Sequence, residues 1–408
     1  TSPHRPLQFL WVEIQNTLIG DNAKLGLWFV YLSSTLTVLL CYWFVSLFTK
    51  DKVTIFLITV IYSVLFIKLE IYHYPINIHV NLSTSIYLLS LIFFIISMSS
   101  NKKSHSFLSI SFYSVAIFWY EVGFFIPVAM FAYYSLLKEN RKPFIETFKV
   151  FSPFLFVMIF YSVYRISGGF GATEMLAGRQ IAISTIPQGI IDVFHNFFGR
   201  YFIRNILYGL YKFPDLPLPW LMISTCLNLI STFFIYIIFQ KKELFKLSRK
   251  EINFLAILFL VVIIPNLLGG AVGGRNIIIA CIPFVIFIYL LLNLLGKKTV
   301  PYIFSFLFLV SLFICQGNAW NQVMASRING SVYEYLKENK QAMLTSDIII
   351  IVTNSFAENI DYTMVNREFN TLNTYYGAQA FESWGLISMV RLVLKDLADD
   401  KEVIISVE

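Results

Sequence analysis

Long apolar runs separated by short polar junctions make up the first three quarters of the chain. Runs of this length and hydropathy predict helices that cross a membrane, although several are shorter than the roughly 20 residues that a perpendicular span requires. Ten helices are predicted, at residues 26–48, 53–70, 85–98, 107–119, 122–137, 148–165, 218–240, 252–270, 276–296 and 300–316.

Clusters of Lys and Arg fall at every second junction between these runs. Cytoplasmic loops of membrane proteins carry such an excess of basic residues, so the clusters predict which junctions face the cytoplasm. If each segment crosses once, all five clusters come out on the same side. They are Lys50/Lys52, Lys102/Lys103, Lys138/Arg141/Lys142, Lys241 to Lys250 and Lys297/Lys298.

The composition supports a lipid environment, with 57% hydrophobic and only 13% charged residues. The net charge of +7 does not indicate nucleic-acid binding, because the membrane-topology clusters explain the excess of basic residues. The fold class predicted is an all-α polytopic membrane protein with about ten transmembrane or re-entrant helices. A composition rich in Ile, Phe, Lys and Asn indicates a prokaryotic source, so localisation in the plasma (inner) membrane is predicted, and the basic clusters predict that the long loops and the C-terminal tail are extracytoplasmic.

Composition changes after residue 317. The segment 318–408 carries 7 basic and 12 acidic residues, with helical patterns at 331–340 and 386–397 and strand-like runs at 347–353 and 402–407. We therefore predict two domains, a multi-span domain over 1–317 and a small soluble extracytoplasmic α/β domain over 318–408. The chain starts at Thr1, and we expect a first span and the start of the first outer loop to precede it.

Four groups of residues on the predicted outer side could carry chemistry. His4 and Arg5 could hold a phosphate, since a guanidinium binds phosphate oxygens in a bidentate manner, or Arg5 could be an ordinary interfacial arginine. Glu121 lies between two apolar segments that form either a re-entrant hairpin or two short helices. An ionisable residue there is either functional or part of a buried ion pair or helix cap, and we predict Arg275 as its partner.

The third group is the glycine-rich turn 269–275, whose backbone N–H groups and Arg275 could bind an anion, or which could be a tight turn with a snorkelling arginine. The fourth is the polar loop 73–81, in which His73 and His79 form a substrate-facing surface or, with acidic help, a metal site. In the long outer segment 166–217, an interfacial amphipathic helix over 181–202 carries Arg200. The four cysteines lack metal-site spacing and are predicted to be buried apolar residues.

The order of these motifs resembles the GT-C superfamily of integral-membrane glycosyltransferases over roughly residues 1–330. The resemblance is carried by Arg5-Pro6-Leu7, the loop 73–81, Tyr120-Glu121-Val122-Gly123, and Gly274-Arg275. It implies inverting transfer of a sugar, as in a hexosyltransferase, from a polyprenyl-phosphate donor to a lipid, glycan or protein acceptor on the extracytoplasmic face.

The resemblance also implies roles for individual residues. Arg5 and Arg275 would hold the donor phosphate and Glu121 would position them or the sugar, while the main catalytic Asp is expected N-terminal to Thr1. Substrate contacts are expected from His4, Arg5, His79, Arg200 and Arg275. A divalent cation, Mg²⁺ or Mn²⁺, is an optional cofactor for which the sequence offers no ligand set, and membrane lipids are further partners.

Other functions remain open at this stage. A polysaccharide polymerase or ligase acting on lipid-linked oligosaccharide would also use many spans and a long outer loop with arginines. A transporter of lipid-linked glycans would require polar residues facing one another at mid-membrane depth. A membrane scaffold without catalytic activity, presenting the tail to partners, is the fourth alternative.

Overall fold

The helices follow the apolar runs of the sequence. The computed structural model describes residues 5–19, 23–65, 78–100, 102–137, 144–167, 203–240, 247–269, 278–294, 299–341, 348–352 and 402–406. Within these ranges the elements are α1 (Pro6–Ile19), α2 (Ala23–Ser46), α3 (Lys52–Ser63), α4 (Ile78–Ser100), α5 (Lys103–Trp119), a 3-10 turn (Glu121–Gly123), α6 (Ile126–Leu137), α7 (Phe144–Ile166), α8 (Arg204–Lys212), α9 (Leu218–Gln240), α10 (Arg249–Gly269), α11 (Cys281–Leu294), α12 (Val300–Glu338), β1 (Ile348–Val352) and β2 (Glu402–Ser406).

Each of the ten predicted apolar segments overlaps one helix, from α2 to α7 and from α9 to α12. Five helices of the described residues are long and apolar enough to cross a membrane, which supports a membrane protein. That there are ten crossings stays a prediction. The five are Leu25–Ser46 of α2, Ile78–Ser100 of α4, Phe148–Ile166 of α7, Leu218–Gln240 of α9 and Val300–Trp320 of α12.

Small polar side chains join α2 to α4. Thr37 Oγ1 lies 2.9 Å from Ser85 Oγ, and Asn81 Nδ2 donates to Ser34 Oγ at 2.8 Å. In a membrane such hydrogen bonds hold helices together because lipid offers no competing partner. The polar residues at the end of the predicted loop 73–81 therefore belong to a helix. The expectation that the chain stays in an outer loop as far as Thr84 was wrong, because α4 already begins at Ile78.

Helices α4 and α5 run antiparallel, so their ends define two ends of the helix assembly. At one end, Ser100 at the end of α4 contacts His105 near the start of α5, with Oγ to Nδ1 at 2.9 Å. At the other end, His79 in the first turn of α4 contacts Tyr120, which follows α5. The basic clusters that the structure describes are at the first end, and Glu121 is at the second, about 35 Å away along a 23-residue helix.

The helix α10 lies against α6 and the 3-10 turn. Tyr133 near the end of α6 contacts Phe254 near the start of α10, with ring centroids 4.8 Å apart. The two helices are therefore antiparallel, and α10 ends at Gly269 on the same side as Glu121. The glycine-rich turn that follows α10 lies outside the described residues.

The chain divides into two compact units, 1–205 with 225–312, and 206–224 with 313–408. The predicted domain boundary at 317/318 falls within α12, which is one continuous helix of 39 residues. In the second unit, Gly209 of α8 and Gly317 of α12 allow the two backbones to meet, since a Cβ on Gly317 would clash with the Gly209 carbonyl oxygen. Small residues permit such close helix contacts.

The two strand-like runs of the tail form a parallel pair, with Ile348 opposite Glu402 and Val352 opposite Ser406. The helix predicted at 386–397 lies outside the described residues. A parallel pair requires a crossover connection, which is consistent with an α/β arrangement. A complete α/β domain at the C-terminus stays a prediction.

Candidate functional site: an arginine and carboxylate cluster

Glu121 opens the short turn between α5 and α6. The chain leaves α5 at Tyr120, which adopts an extended conformation (φ −159°, ψ 115°), and Glu121 to Gly123 form one 3-10 turn before α6. On either side of this turn the chain forms two helices, α5 and α6. The carboxylate therefore projects from a helix junction, where the backbone changes direction.

Two buried tyrosines fix the backbone of this junction. Tyr87 of α4 donates its hydroxyl to the carbonyl of Tyr120 at 2.9 Å, and Tyr113 of α5 donates to the carbonyl of Phe124 at 2.7 Å. Gly123 lies directly against the Tyr87 ring, because a Cβ at this position would be 2.6 Å from Cε1. Glycine is required here by the close approach of an aromatic side chain.

Two arginines from distant parts of the chain converge on the Glu121 carboxylate. Arg5 binds it in a bidentate manner, with Nε to Oε2 and Nη2 to Oε1 both at 2.7 Å. Arg165, in the last turn of α7, places Nη1 2.9 Å from Oε1. All three side chains are partly open to solvent, with exposed fractions of 21% for Arg5, 23% for Glu121 and 28% for Arg165. These three residues are called the Arg5–Glu121–Arg165 cluster below.

Arg5 is held by more than its carboxylate partner. Its guanidinium carbon lies 4.4 Å from the centroid of the Tyr120 ring, which is a cation–π contact, and Nη1 is 3.4 Å from Gln8 Oε1. One and a half turns further along α1, Trp11 contacts Trp119 with ring centroids 5.8 Å apart. Together these contacts attach α1 to the end of α5.

Arg165 has a second neighbour on its own helix. Its Nη1 donates to the hydroxyl of Tyr161, one turn earlier, at 2.9 Å. The Tyr161 ring in turn packs edge-on against Phe118 of α5, with centroids 5.4 Å apart. Packing against α5 thus positions the tyrosine that orients Arg165.

The charges of the cluster stabilise one another. Burial raises the pKa of Glu121, but Arg5 and then Arg165 outweigh it and hold that pKa well below its usual range. Burial likewise opposes the charge on Arg5, yet Glu121 raises the pKa of Arg5 above its ordinary value. All three groups are charged at neutral pH, so two cations face one anion and the cluster carries a net charge of +1.

His79 is buried and reaches the cluster through its contact with Tyr120. It is 4% exposed and meets the Tyr120 ring edge-on, with centroids 5.5 Å apart and an interplanar angle of 73°. The Tyr120 ring also makes the cation–π contact with the Arg5 guanidinium. A side chain so deeply buried positions Tyr120, whereas the sequence predicted that His79 contacts substrate directly.

The structure places the other sequence-predicted residues as follows. Arg5 and Glu121 meet directly. His4, Arg200 and Arg275 lie outside the described residues, so the predicted pairing of Glu121 with Arg275 is not described, and the arginines found at Glu121 are Arg5 and Arg165.

Sequence reasoning missed Arg165, which it treated as the last residue of an apolar segment. One signal could have found it. Arg165 is a single basic residue at the helix end opposite to the basic clusters, where the rule for cytoplasmic loops gives no reason for a positive charge. A charge that topology does not explain indicates a partner or a ligand.

The cluster fits an anion better than a metal ion. Both Glu121 oxygens already face guanidinium nitrogens, and no group of three or more His, Cys, Asp or Glu side chains within the described ranges could hold a metal. Partly exposed guanidinium groups are instead typical of sites that bind phosphate or carboxylate.

No protein-family model, curated protein or solved structure matches this chain. The resemblance to GT-C glycosyltransferases consequently rests on the order of the sequence motifs. Two of those motifs, Arg5-Pro6-Leu7 and Tyr120-Glu121-Val122-Gly123, are in contact through the ion pair between Arg5 and Glu121.

Proposed function

We propose that this protein is an integral-membrane glycosyltransferase of the GT-C type. It transfers a sugar from a polyprenyl-phosphate donor to a lipid, glycan or protein acceptor on the extracytoplasmic face of the plasma membrane, with inversion at the anomeric carbon. The Arg5–Glu121–Arg165 cluster contributes to the site for the donor phosphate.

The observation that carries this proposal is the convergence of two guanidinium groups on one partly exposed carboxylate at a helix junction. The cluster has a surplus positive charge, and guanidinium forks match the geometry of phosphate oxygens. It also lies at the ends of long apolar helices. A ligand with an anionic head and an apolar tail, such as a polyprenyl phosphate, meets both conditions.

Glu121 acts as a positioning residue in this proposal. A carboxylate whose pKa is held well below its usual range by two arginines is a weak proton acceptor, so it is a poor general base. Its function is to fix the orientation of the guanidinium groups, and a separate carboxylate activates the acceptor.

The proposed reaction is a single displacement. The acceptor hydroxyl gives its proton to the general base and its oxygen forms a bond to the anomeric carbon, while the bond from that carbon to the phosphate oxygen breaks. The polyprenyl phosphate leaves with one additional negative charge. Positive charge held near the leaving oxygen stabilises this developing charge, which is the contribution of the surplus positive charge of the cluster.

The membrane face follows from the separation of charges along the helices. Lys102 and Lys103 lie at the start of α5, and Glu121 follows its other end. If the basic end faces the cytoplasm, the Arg5–Glu121–Arg165 cluster faces outward. A polyprenyl-linked donor is available at that face without a soluble nucleotide sugar. The tail would then be extracytoplasmic.

The polar residues inside the described helices give less support to the transporter alternative. The hydroxyl and amide groups of Ser34, Thr37, Asn81 and Ser85 bond to one another between α2 and α4. Groups paired in this way hold helices together and do not line an open pathway. The polymerase or ligase alternative depends on the segment 168–202, which lies outside the described residues.

A donor panel tests the proposal. Membranes containing the complete gene product are incubated with three radiolabelled donors, a polyprenyl-phosphate hexose, a polyprenyl-pyrophosphate oligosaccharide and a nucleotide hexose, and transfer to endogenous acceptor is measured against membranes without the protein. We expect transfer from the first donor. Transfer from the second alone would favour the polymerase or ligase, and transfer from none of them would contradict an enzymatic function of this class.

A further inference from the structure

The two arginines of the cluster are bound in different ways. Arg5 binds Glu121 through both Nε and Nη2, and its guanidinium lies over the Tyr120 ring. Arg165 reaches Glu121 and Tyr161 through the same nitrogen, Nη1. A guanidinium presents five N–H donors in a rigid fork, so the edge of Arg165 formed by Nε and Nη2 is not used on Glu121.

The exposure of the two arginines and the number of their neighbours also differ. Arg165 is the more exposed of the two arginines, at 28% against 21% for Arg5. Arg5, in contrast, is enclosed by Glu121, Tyr120 and Gln8 and connects α1 to the α5–α6 junction. Arg5 is thus held by three different neighbours, whereas Arg165 keeps a donor edge that Glu121 does not use.

We infer that Arg165 binds the phosphate oxygens of the ligand, while Arg5 is a positioning residue that holds the Glu121 carboxylate in place. This inference rests on the proposed function for the identity of the ligand, a phosphate carried on an isoprenoid chain. It differs from the role that the family resemblance implies, which gives the phosphate to Arg5. It also assigns the neighbouring Tyr161 a function, since its hydroxyl orients the Arg165 fork.

Direct binding tests this assignment without requiring transfer activity. The complete gene product in lipid nanodiscs is titrated with farnesyl phosphate and, separately, with inorganic phosphate, by isothermal titration calorimetry. The variants are Arg165→Gln, Arg165→Lys, Arg5→Lys and the control Arg249→Gln, an exposed arginine at the start of α10, at the opposite end of the helices.

Loss of charge-assisted hydrogen bonds to one phosphate corresponds to a decrease in affinity of about 10-fold to 100-fold, which we expect for farnesyl phosphate with Arg165→Gln. Arg165→Lys keeps the charge and should restore part of the affinity, and Arg249→Gln should bind like the wild type. Arg5→Lys should lower the melting temperature while keeping the affinity of the folded protein within about threefold, on the same scale. If inorganic phosphate shows the same dependence, the phosphate group alone is recognised, and if only farnesyl phosphate does, the apolar chain contributes.

Wild-type affinity in a folded Arg165→Gln protein would overturn the assignment, as would a 10-fold loss of affinity in Arg5→Lys without loss of thermal stability. If Arg5→Lys does not fold, the role of Arg165 is decided by the affinity of Arg165→Gln compared with those of Arg165→Lys and Arg249→Gln. Failure of the proposed function can be told apart from failure of this assignment. In that case phosphate binding would depend on Arg165, but no donor would support sugar transfer.

Discussion

Arg5 and Glu121 are 116 positions apart in the chain and share a bidentate ion pair with both contacts at 2.7 Å. The pair connects the first helix of the described chain to the junction between α5 and α6. Arg165 adds a third helix through the same carboxylate. A single acidic side chain thus organises three helices at one end of the structure, and its removal should affect both stability and phosphate binding.

Replacing Glu121 with Gln removes the negative charge and keeps nearly the same shape. Arg5 and Arg165 would then repel each other across a neutral amide, and we expect a loss of stability of about 2–4 kcal/mol. This is somewhat less than the roughly 3–5 kcal/mol lost when one partner of a buried ion pair is removed, because the three side chains are partly exposed. Thermal unfolding in detergent measures the change. Glu13→Gln, at an exposed position of α1, is the matched control. Equal melting temperatures for the Glu121→Gln and Glu13→Gln proteins would show that the cluster does not organise these helices.

The stability that Glu121 contributes should depend on pH in one direction. Its pKa is lowered in the folded protein, so this stability is fully present above the unfolded value of about 4.3 and is lost as the pH falls toward the folded value. The difference in stability between wild type and Glu121→Gln should be constant from pH 8 to about pH 5 and decrease below about pH 4. Unfolding curves at several pH values measure it, and a difference that already falls between pH 7 and pH 5 would contradict the ion-paired carboxylate.

The two ends of α5 should lie on opposite sides of the membrane. In a protein without its four native cysteines, Glu13→Cys reports on the end with the Arg5–Glu121–Arg165 cluster and Lys102→Cys on the basic end, and both positions are exposed. We expect an impermeant maleimide to label Glu13→Cys in intact cells and Lys102→Cys only after permeabilisation. The reverse pattern would place the cluster in the cytoplasm and contradict an extracytoplasmic site.

Gly123 should tolerate no larger residue. A Cβ would lie 2.6 Å from Tyr87 Cε1 and 2.7 Å from Tyr87 Cζ, so Gly123→Ala must displace the tyrosine that holds the Tyr120 carbonyl. We expect a loss of about 1–3 kcal/mol from overpacking. Tyr87→Phe, which keeps the ring and removes the hydroxyl, should cost about 1 kcal/mol. If Gly123→Ala unfolds at the wild-type temperature, the junction is looser than these contacts indicate.

Sequence patterns predicted α2 to α7 and α9 to α12 because each contains a long apolar run, which is a local property of the chain, whereas α1 and α8 were not predicted. The same reasoning predicted too short a helix for α4, because the polar residue Asn81 was assigned to a loop. Its amide is satisfied by Ser34 of α2, a contact 47 positions away that no local pattern contains. The domain boundary predicted at 317/318 lies close to the division between the compact units at 312/313, although it falls inside a helix. Polar residues begin there, but α12 continues through them.

The site was predicted in part. Glu121 was named from its position between two apolar segments and Arg5 as a guanidinium that could bind phosphate near the outer face. The need of Glu121 for an arginine followed from the cost of an unpaired charge at that depth. The choice of partner could not be derived, because it depends on which helix ends meet in space. Arg165 was not singled out because it is the last residue of the predicted apolar segment 148–165. His79 was assigned to an exposed loop although it is buried against Tyr120.

The most direct test of the central claim is the rate of sugar transfer from a polyprenyl-phosphate donor by wild type, Glu121→Gln and Glu13→Gln at matched expression. If the Arg5–Glu121–Arg165 cluster holds the donor phosphate, Glu121→Gln should lose at least about 10-fold in rate, equivalent to about 1.4 kcal/mol of transition-state stabilisation, while Glu13→Gln stays at the wild-type rate. Equal rates for all three proteins would contradict the role of the cluster in donor binding.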